Sequence, residues 1–417
     1  MKLPGGFTAL RECLRVPNFR LYVIGNITHG VGIWVLRICI GWLAWELSES
    51  PAWLGAMALA ETAPSLFFGL IAGTIVDRIN YIRLMQITQG LSMMLSATIA
   101  ALIFADVIDI WLLFGLTLIR GFLMSLNRPS RMAFIHHLVG RDLLPSALAI
   151  GSIIHNGTRF IGPGIGGAVI VAFGIGWGFA TTSFLLLVYT VILVVMNVAF
   201  EREAREKKSM WRESSEGIAY ILRHPGIRMQ MLILIVLGIL SKPVTDMLPG
   251  YAGQVFSMGA EGLAMLVMVH GIGATLGGVW LAARGKGVDG MTNVNLTSVL
   301  FSGLLMVMFA ATDIFWIALA GSALMGFAFV VQSVTSQTLI QTAVDQHYRG
   351  RVISVHGIVT LGVPALGAML IGGAAEEWGL RWPVVVGGAI TVFFWIGLTM
   401  AASGARKTLE AVRENRG

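Results

Sequence analysis

Apolar runs long enough to cross a bilayer follow one another along almost the whole chain, interrupted by short loops and by one long polar stretch, Glu201 to Arg228. Each crossing takes about 20 mostly apolar residues, so 417 residues leave room for roughly a dozen spans. With 56% hydrophobic and only 12% charged residues, no single water-soluble core could cover that apolar surface. Backbone groups in hydrocarbon must be paired within their own segment, and the unbroken runs lack the alternation of a barrel strand. The spans should therefore be helices.

Reading apolar runs between charged or Gly/Pro turns places helices at about 20–46, 52–76, 82–105, 110–134, 144–172 and 178–200. After the polar stretch, six more fall at about 228–252, 260–284, 292–312, 314–340, 350–375 and 381–403. The expected organisation is a six-helix bundle over 1–200, a cytoplasmic linker over 201–227 and a second bundle over 228–417. The halves share an order of features. Arg15, Pro17 and Arg20 recur 208 positions on as Arg223, Pro225 and Arg228; His155, Pro163 and Gly166 recur 201 positions on as His356, Pro364 and Gly367. Matches in one order favour an internal repeat.

Charge sets the orientation. With both ends in the cytoplasm, Arg381 is the one basic residue among the 29 Lys and Arg that falls in an external loop. The formal charge of +7 thus reads as a basic cytoplasmic face in a multi-pass protein of the cell's inner membrane, with no nucleic-acid partner implied. Cys13 and Cys39 are too far apart in depth to pair. Within the linker, Met210 to Arg223 reads as a partly amphipathic helix lying under the bundle.

Six charges lie inside spans: Arg37, Glu61, Arg120, Arg159, Lys242 and Asp246. Each costs at least about 2.5 kcal/mol at the membrane centre, which marks them as candidate functional groups. Arg37 and Glu61 fall at similar heights and are expected to face each other. Lys242 and Asp246, four apart, should share one face of a continuous helix, as should His155 and Arg159. Asn26 with Arg37, and Ser333, Gln337 and Gln341, read as polar stripes; stripes of this kind either line a cavity or join helices. The excess of basic over acidic groups suits an anionic or amphipathic substrate. Glu61 is the first candidate for proton coupling and Asp246 the second. The histidines lack metal-ligand spacing, and the chain has no phosphate-binding GxxxxGK[ST], so the proton gradient is the expected energy source, with no cofactor or metal.

Two six-helix halves, a central linker and these residues together resemble the major facilitator superfamily. Gly73, Asp77, Arg78 and Arg83 in GTIVDRINYIR resemble its loop 2/3 signature, Arg120 and Gly121 its helix 4 motif, and Arg159, Gly162, Pro163, Gly166 and Gly167 in RFIGPGIGG its helix 5 antiporter motif. NFRLY at Asn18 and RPSRMAF at Arg128 are similar to the bacterial transmembrane secretion effector branch, which includes enterobactin-type exporters. The resemblance implies an all-α fold of twelve transmembrane helices in two pseudo-symmetric bundles. It assigns the loop 2/3 residues to stabilising one conformational state, and tips the glycines and prolines of helix 5, with Pro364 in the second half, toward gating. The second half lacks the acid of the loop signature, since only Gly285 and Lys286 correspond.

The expected function is proton-coupled export of a small molecule such as a siderophore or drug, through alternating access by a monomer. An importer or lysophospholipid transporter of the same fold is the alternative. A membrane enzyme or receptor fits less well, because no catalytic set of His, Ser or carboxylates is evident.

Overall fold

The computed structural model describes residues 6–76, 80–140, 142–196, 210–285 and 287–410, which are helical with no strand among them. Ten helices in the described residues are long and apolar enough to cross a membrane. In order, all the helices of the described residues run α1 Gly6–Arg15, α2 Pro17–Ser48, α3 Pro51–Val76, α4 Tyr81–Phe104, α5 Ile110–Leu138, α6 Leu144–Phe173 and α7 Ile175–Val195. They continue as α8 Met210–Arg223, α9 Pro225–Leu240, α10 Val244–Gly250, a π-helical turn Tyr251–Val255, α11 Gly259–Ala283, α12 Met291–Ala311, α13 Phe315–Ala343, α14 Arg349–Trp378 and α15 Arg381–Leu409. The chain forms two compact units, residues 1–48 with 60–206, and 49–59 with 207–417.

Local chemistry sets the ends of these helices. Asn80 opens α4 by accepting the N–H groups of Ile82 and Arg83, and Asp109 opens α5 by accepting that of Leu112, so each satisfies orphan donors of a first turn. His224 opens α9 in the same way, its Nδ1 accepting the Ile227 N–H at 3.3 Å, with Pro225 at the first helical position. Gly174, at φ +90°, closes α6 in a conformation that side chains disfavour.

One predicted helix needs correction. The apolar run 228–252 suggested an unbroken helix; the span is present over Pro225–Val255, but within it α9 stops at Leu240 and α10 restarts at Val244. Pro243 has no N–H, and the N–H groups of Ser241 and Lys242 both turn back to the Leu237 carbonyl at 2.9 Å. Val244 N–H bonds Ser241 instead of Leu240. The carbonyls of Gly238, Ile239 and Leu240 are thereby left without helical N–H partners.

The repeat extends into the buried polar contacts. In the first unit Asn127 Nδ2 on α5 donates to Thr88 Oγ1 on α4 at 2.9 Å. In the second, Asn295 Nδ2 on α12 donates to Thr335 Oγ1 on α13 at 2.8 Å. Thr88 and Asn295 are 207 positions apart, and Asn127 and Thr335 are 208 apart, so the two partners have exchanged places between the halves. The second version is larger: Asn295 also donates to Ser336 Oγ, which donates to Gln230 Oε1 on α9.

The expected amphipathic linker helix is present as α8, and it packs on α14 within the second unit. Arg351 pairs with Glu216 at 2.9 Å, Tyr220 donates to Asp345 at 3.1 Å, and Tyr220 stacks on Tyr348 with ring centroids 4.5 Å apart.

Candidate transport site

In the first unit, Gly121 brings α5 so close to α3 that a Cβ there would lie 2.6 Å from the Ala60 carbonyl oxygen. That approach puts the neighbouring Arg120 beside Glu61, and Arg120 Nη1 donates to Glu61 Oε1 at 2.6 Å. The arginine side chain is 4% exposed and the glutamate 29%, so the pair straddles the edge of the packed interior. A charge-assisted bond this short, held away from bulk water, is strong for a protein hydrogen bond. Sequence reasoning set Arg37 opposite Glu61 by depth and did not foresee Arg120 as a partner, which the approach of α5 at Gly121 brings to the carboxylate.

Arg37 and Arg159 meet at Trp34. Both guanidinium carbons lie 5.7 Å from the centroid of its ring, Arg37 from the next turn of α2 and Arg159 from α6. Gly162 makes the meeting possible, because a Cβ at that position would lie 2.5 Å from Trp34 Cβ and 3.1 Å from the Val31 carbonyl oxygen. The glycine of the helix 5 motif therefore has a concrete role in seating the indole. Along α6, Ser152, His155 and Asn156 are exposed and Arg159 is half-buried. Polar side chains standing open within an apolar helix belong to a wetted face, since hydrocarbon would penalise them.

Asn26 does not share that face. It is buried, with Arg131 Nη1 on α5 at 3.5 Å from its Oδ1, while Arg37 is exposed. His29, one turn on, is also buried, with its ring 4.8 Å from that of Tyr189.

In the second unit, the break after α9 carries the candidate charges. Lys242 lies in the turn and Asp246 in α10, so they do not stand on one continuous helix as their spacing suggested. Lys242 is close enough to His356 on α14 to interact with it electrostatically. Gln337 is exposed on α13, with Ser333 and Gln341 half-buried on the same side. The residues that join helices are their neighbours Gln332, Thr335 and Ser336, all buried in the Asn295 network.

Among the conformational candidates, Gly73 lies in the last turn of α3 and Arg83 is exposed at the start of α4. Asp77 and Arg78 lie outside the described residues. Pro163 and Pro364 both sit inside helices, α6 and α14, with Gly166 and Gly167 buried just beyond the first. Among the described residues, no three His, Cys, Asp or Glu side chains converge as metal ligands would.

The sequence reading missed Trp34, Arg131 and the helix break. Trp34 had a signal in its spacing three residues before Arg37, and Pro243 marked the break. Arg131 had none, since a basic residue near a span end reads first as an orientation signal.

A family model described as transmembrane secretion effector matches residues 9–411. The multidrug efflux pump Tap of Mycolicibacterium fortuitum is 26% identical over 394 residues, covering 89% of this chain and 94% of that protein. The staphyloferrin A transporter of Staphylococcus aureus is 26% identical, covering 84% and 87%. The enterobactin exporter EntS of Shigella boydii is 24% identical, covering 86% and 85%. Among solved structures, a bacterial homologue of the human lysosomal transporter Spinster, inward-facing and occupied, superposes with a TM-score of 0.72 at 13% identity over 94% of this chain and 98% of that one. A bacterial homologue of the iron transporter ferroportin gives 0.69 at 12% identity over 92% and 98%.

Proposed function

The chain belongs to the transmembrane secretion effector family of major facilitator transporters, and from that premise we propose that it exports an acidic or amphipathic small molecule, a siderophore or drug, in exchange for protons. It would do so by alternating access in the inner membrane, with both termini cytoplasmic. Export is favoured by relatives named as an efflux pump and an enterobactin exporter.

The observation that carries the coupling is the Glu61–Arg120 pair. A carboxylate in a partly dry site is pushed toward protonation, and an adjacent guanidinium pushes it back. Glu61 therefore stays ionised while Arg120 holds it. If an acidic substrate or a helix movement draws the guanidinium away, Glu61 takes a proton; when the pair re-forms, the proton leaves. Each proton crossing the membrane supplies about 2.3 kcal/mol per 100 mV, enough to drive severalfold accumulation or more.

The test is transport by the purified protein in proteoliposomes. Glu61→Gln should preserve substrate counterflow and lose accumulation driven by an imposed pH gradient. Undiminished pH-driven accumulation by that variant would remove Glu61 from the coupling step.

A further inference from the structure

We infer that the corner between α14 and α15 binds the headgroup of a zwitterionic phospholipid, with Arg381 taking the phosphate and Asp313 and the indoles of Trp378 and Trp382 taking the ammonium. The inference concerns the membrane around the protein and does not rest on the transported substrate or on the Glu61 coupling.

Arg381 is the exception among the basic residues, since in the topology proposed above it falls in an external loop. Helix α14 runs 30 residues, about 45 Å, from its contact with α8 to Trp378, so the corner lies at the end of the second unit remote from the linker. One membrane span ends at Trp378, the next begins at Arg381, and a third begins at Phe315. Each of these ends carries an exposed indole, at Trp378, Trp382 and Trp316. Indoles at span ends settle at the depth of lipid headgroups, and the Arg381–Asp313 pair stands at that same depth.

The site is built before any ligand arrives. Gly379, at φ +76°, makes the sharp corner between the two helices. The π-helical turn Tyr251–Val255 is closed by the Phe256 N–H on the Tyr251 carbonyl at 2.9 Å. Tyr251 ties that turn to the corner by donating its hydroxyl to the Leu380 carbonyl at 2.9 Å. Between turn and corner lies a cavity of about 350 Å³ whose polar and aromatic lining is Gln254, Trp378, Arg381 and Trp382. Ligand pockets run from roughly 300 to 1,000 Å³, and one at the small end takes a headgroup while the acyl chains stay in the bilayer.

Charge complementarity decides which headgroup fits. Arg381 Nη2 donates to Asp313 Oδ1, so the site presents a cation and an anion side by side. The Asp313 side chain is 82% exposed, which leaves its carboxylate open to an ammonium from outside. A guanidinium has five N–H donors in a fork that matches phosphate, and indole faces attract an ammonium. A zwitterionic headgroup satisfies both members of the pair. An anionic headgroup would set its own charge against Asp313, and an uncharged one would gain from neither. In exposed surroundings the resulting preference is modest, about threefold to tenfold in affinity.

The experiment uses the purified full chain in maltoside micelles doped with phosphatidylethanolamine, phosphatidylglycerol or diacylglycerol, each brominated high in its acyl chains, as zwitterionic, anionic and uncharged probes. Binding is read as the part of the tryptophan quenching that is missing in the double variant Trp378→Phe with Trp382→Phe. That part should saturate with phosphatidylethanolamine at a severalfold lower mole fraction than with phosphatidylglycerol, and should not saturate with diacylglycerol. Asp313→Asn should make the two phospholipids alike, and Arg381→Gln should bring both down to the level of diacylglycerol. If Arg381→Gln does not fold, Asp313→Asn decides, because Asp313 is exposed. Soluble glycerophosphoethanolamine at the same concentration should not displace the lipid. Equal quenching by the three probes would mean indoles that only sit at the interface. That result, a preference that survives Asp313→Asn, or displacement by the soluble headgroup overturns the inference. Neither gradient nor transported substrate is present, so this outcome and that of the Glu61 test stand independently.

Discussion

Helix α2 runs unbroken from Pro17 to Ser48, while its repeat counterpart stops at Leu240 and restarts at Val244. Trp34 and Lys242 occupy equivalent places at the offset of 208. The first unit thus puts an aromatic platform on a continuous helix, met by Arg37 of that helix and Arg159 of α6, and the second puts a lysine in a gap with three carbonyls lacking helical partners. A duplicated scaffold has been specialised in two directions. One half gained fixed charge held by packing; the other gained a backbone discontinuity, of the kind that transporters use for binding or for bending.

The partner helices show the same divergence and supply the largest expected effect. Gly166 on α6 and Gly367 on α14 are repeat equivalents. A Cβ at Gly166 would lie 3.3 Å from Val35 Cα, whereas one at Gly367 would lie 2.5 Å from the Ile239 carbonyl oxygen and 2.7 Å from that of Gly238. Those are two of the carbonyls freed by the break, and the glycine's Cα–H groups cover them at close range. Gly367→Ala should therefore lower stability by about 1 to 3 kcal/mol, read as a reduced thermal denaturation midpoint in detergent. Gly166→Ala should cost about 1 kcal/mol or less, because a methyl needs only a few tenths of an ångström of relief there. Equal shifts for the two variants would show that the break does not set how close α14 comes.

The exchanged Asn and Thr offer a second, smaller test of the divergence. Asn295→Ala should cost about 1 to 2 kcal/mol, more than Asn127→Ala, since Asn295 serves three acceptors and Asn127 one. The double variant Thr88→Asn with Asn127→Thr gives the first unit the arrangement of the second. It should recover most of the stability that Asn127→Thr alone loses. If the double variant is no better than the single, the pairing depends on more than these two side chains.

What could be read before the structure follows the range of the forces involved. Spans, linker helix and fold family come from hydropathy, charge and short motifs, all of which act locally along the chain. The broken helix was hidden because 228–252 is mostly apolar, and a proline such as Pro243 inside such a run usually bends a helix without ending it. The sequence singles out the intramembrane charges as residues, but it does not show that Glu61 bonds Arg120. Depth along a helix gives Arg37 and Glu61 the same height, while the Arg120 contact depends on Gly121 letting α5 touch α3 at Ala60, a contact between helices about 60 residues apart in sequence. Trp34 was passed over because an indole in an apolar run reads as packing until two arginines are found against it.

The smallest expected effect lies where the second unit begins. His224 caps α9 through its neutral Nδ1, and the first unit has no histidine at the equivalent place, where Val16 precedes Pro17. Burial pushes the imidazole below its ordinary range near 6.5, with the charge of Asp345 partly opposing the shift. A base whose folded pKa is depressed stabilises the fold fully above the unfolded value, and that contribution is lost as pH falls through 6.5 toward the folded pKa, because the unfolded chain then binds more protons. Protonation also removes the acceptor for Ile227 N–H, so the cap is lost with the stability it brings, about 0.5 to 1 kcal/mol. Lowering pH from 7.5 to 5.5 should therefore reduce the denaturation midpoint of the natural protein slightly more than that of His224→Asn, whose amide oxygen caps at either pH. An identical pH response in the two proteins would place the acid sensitivity elsewhere and leave α9, like α2, with a start that does not depend on protons.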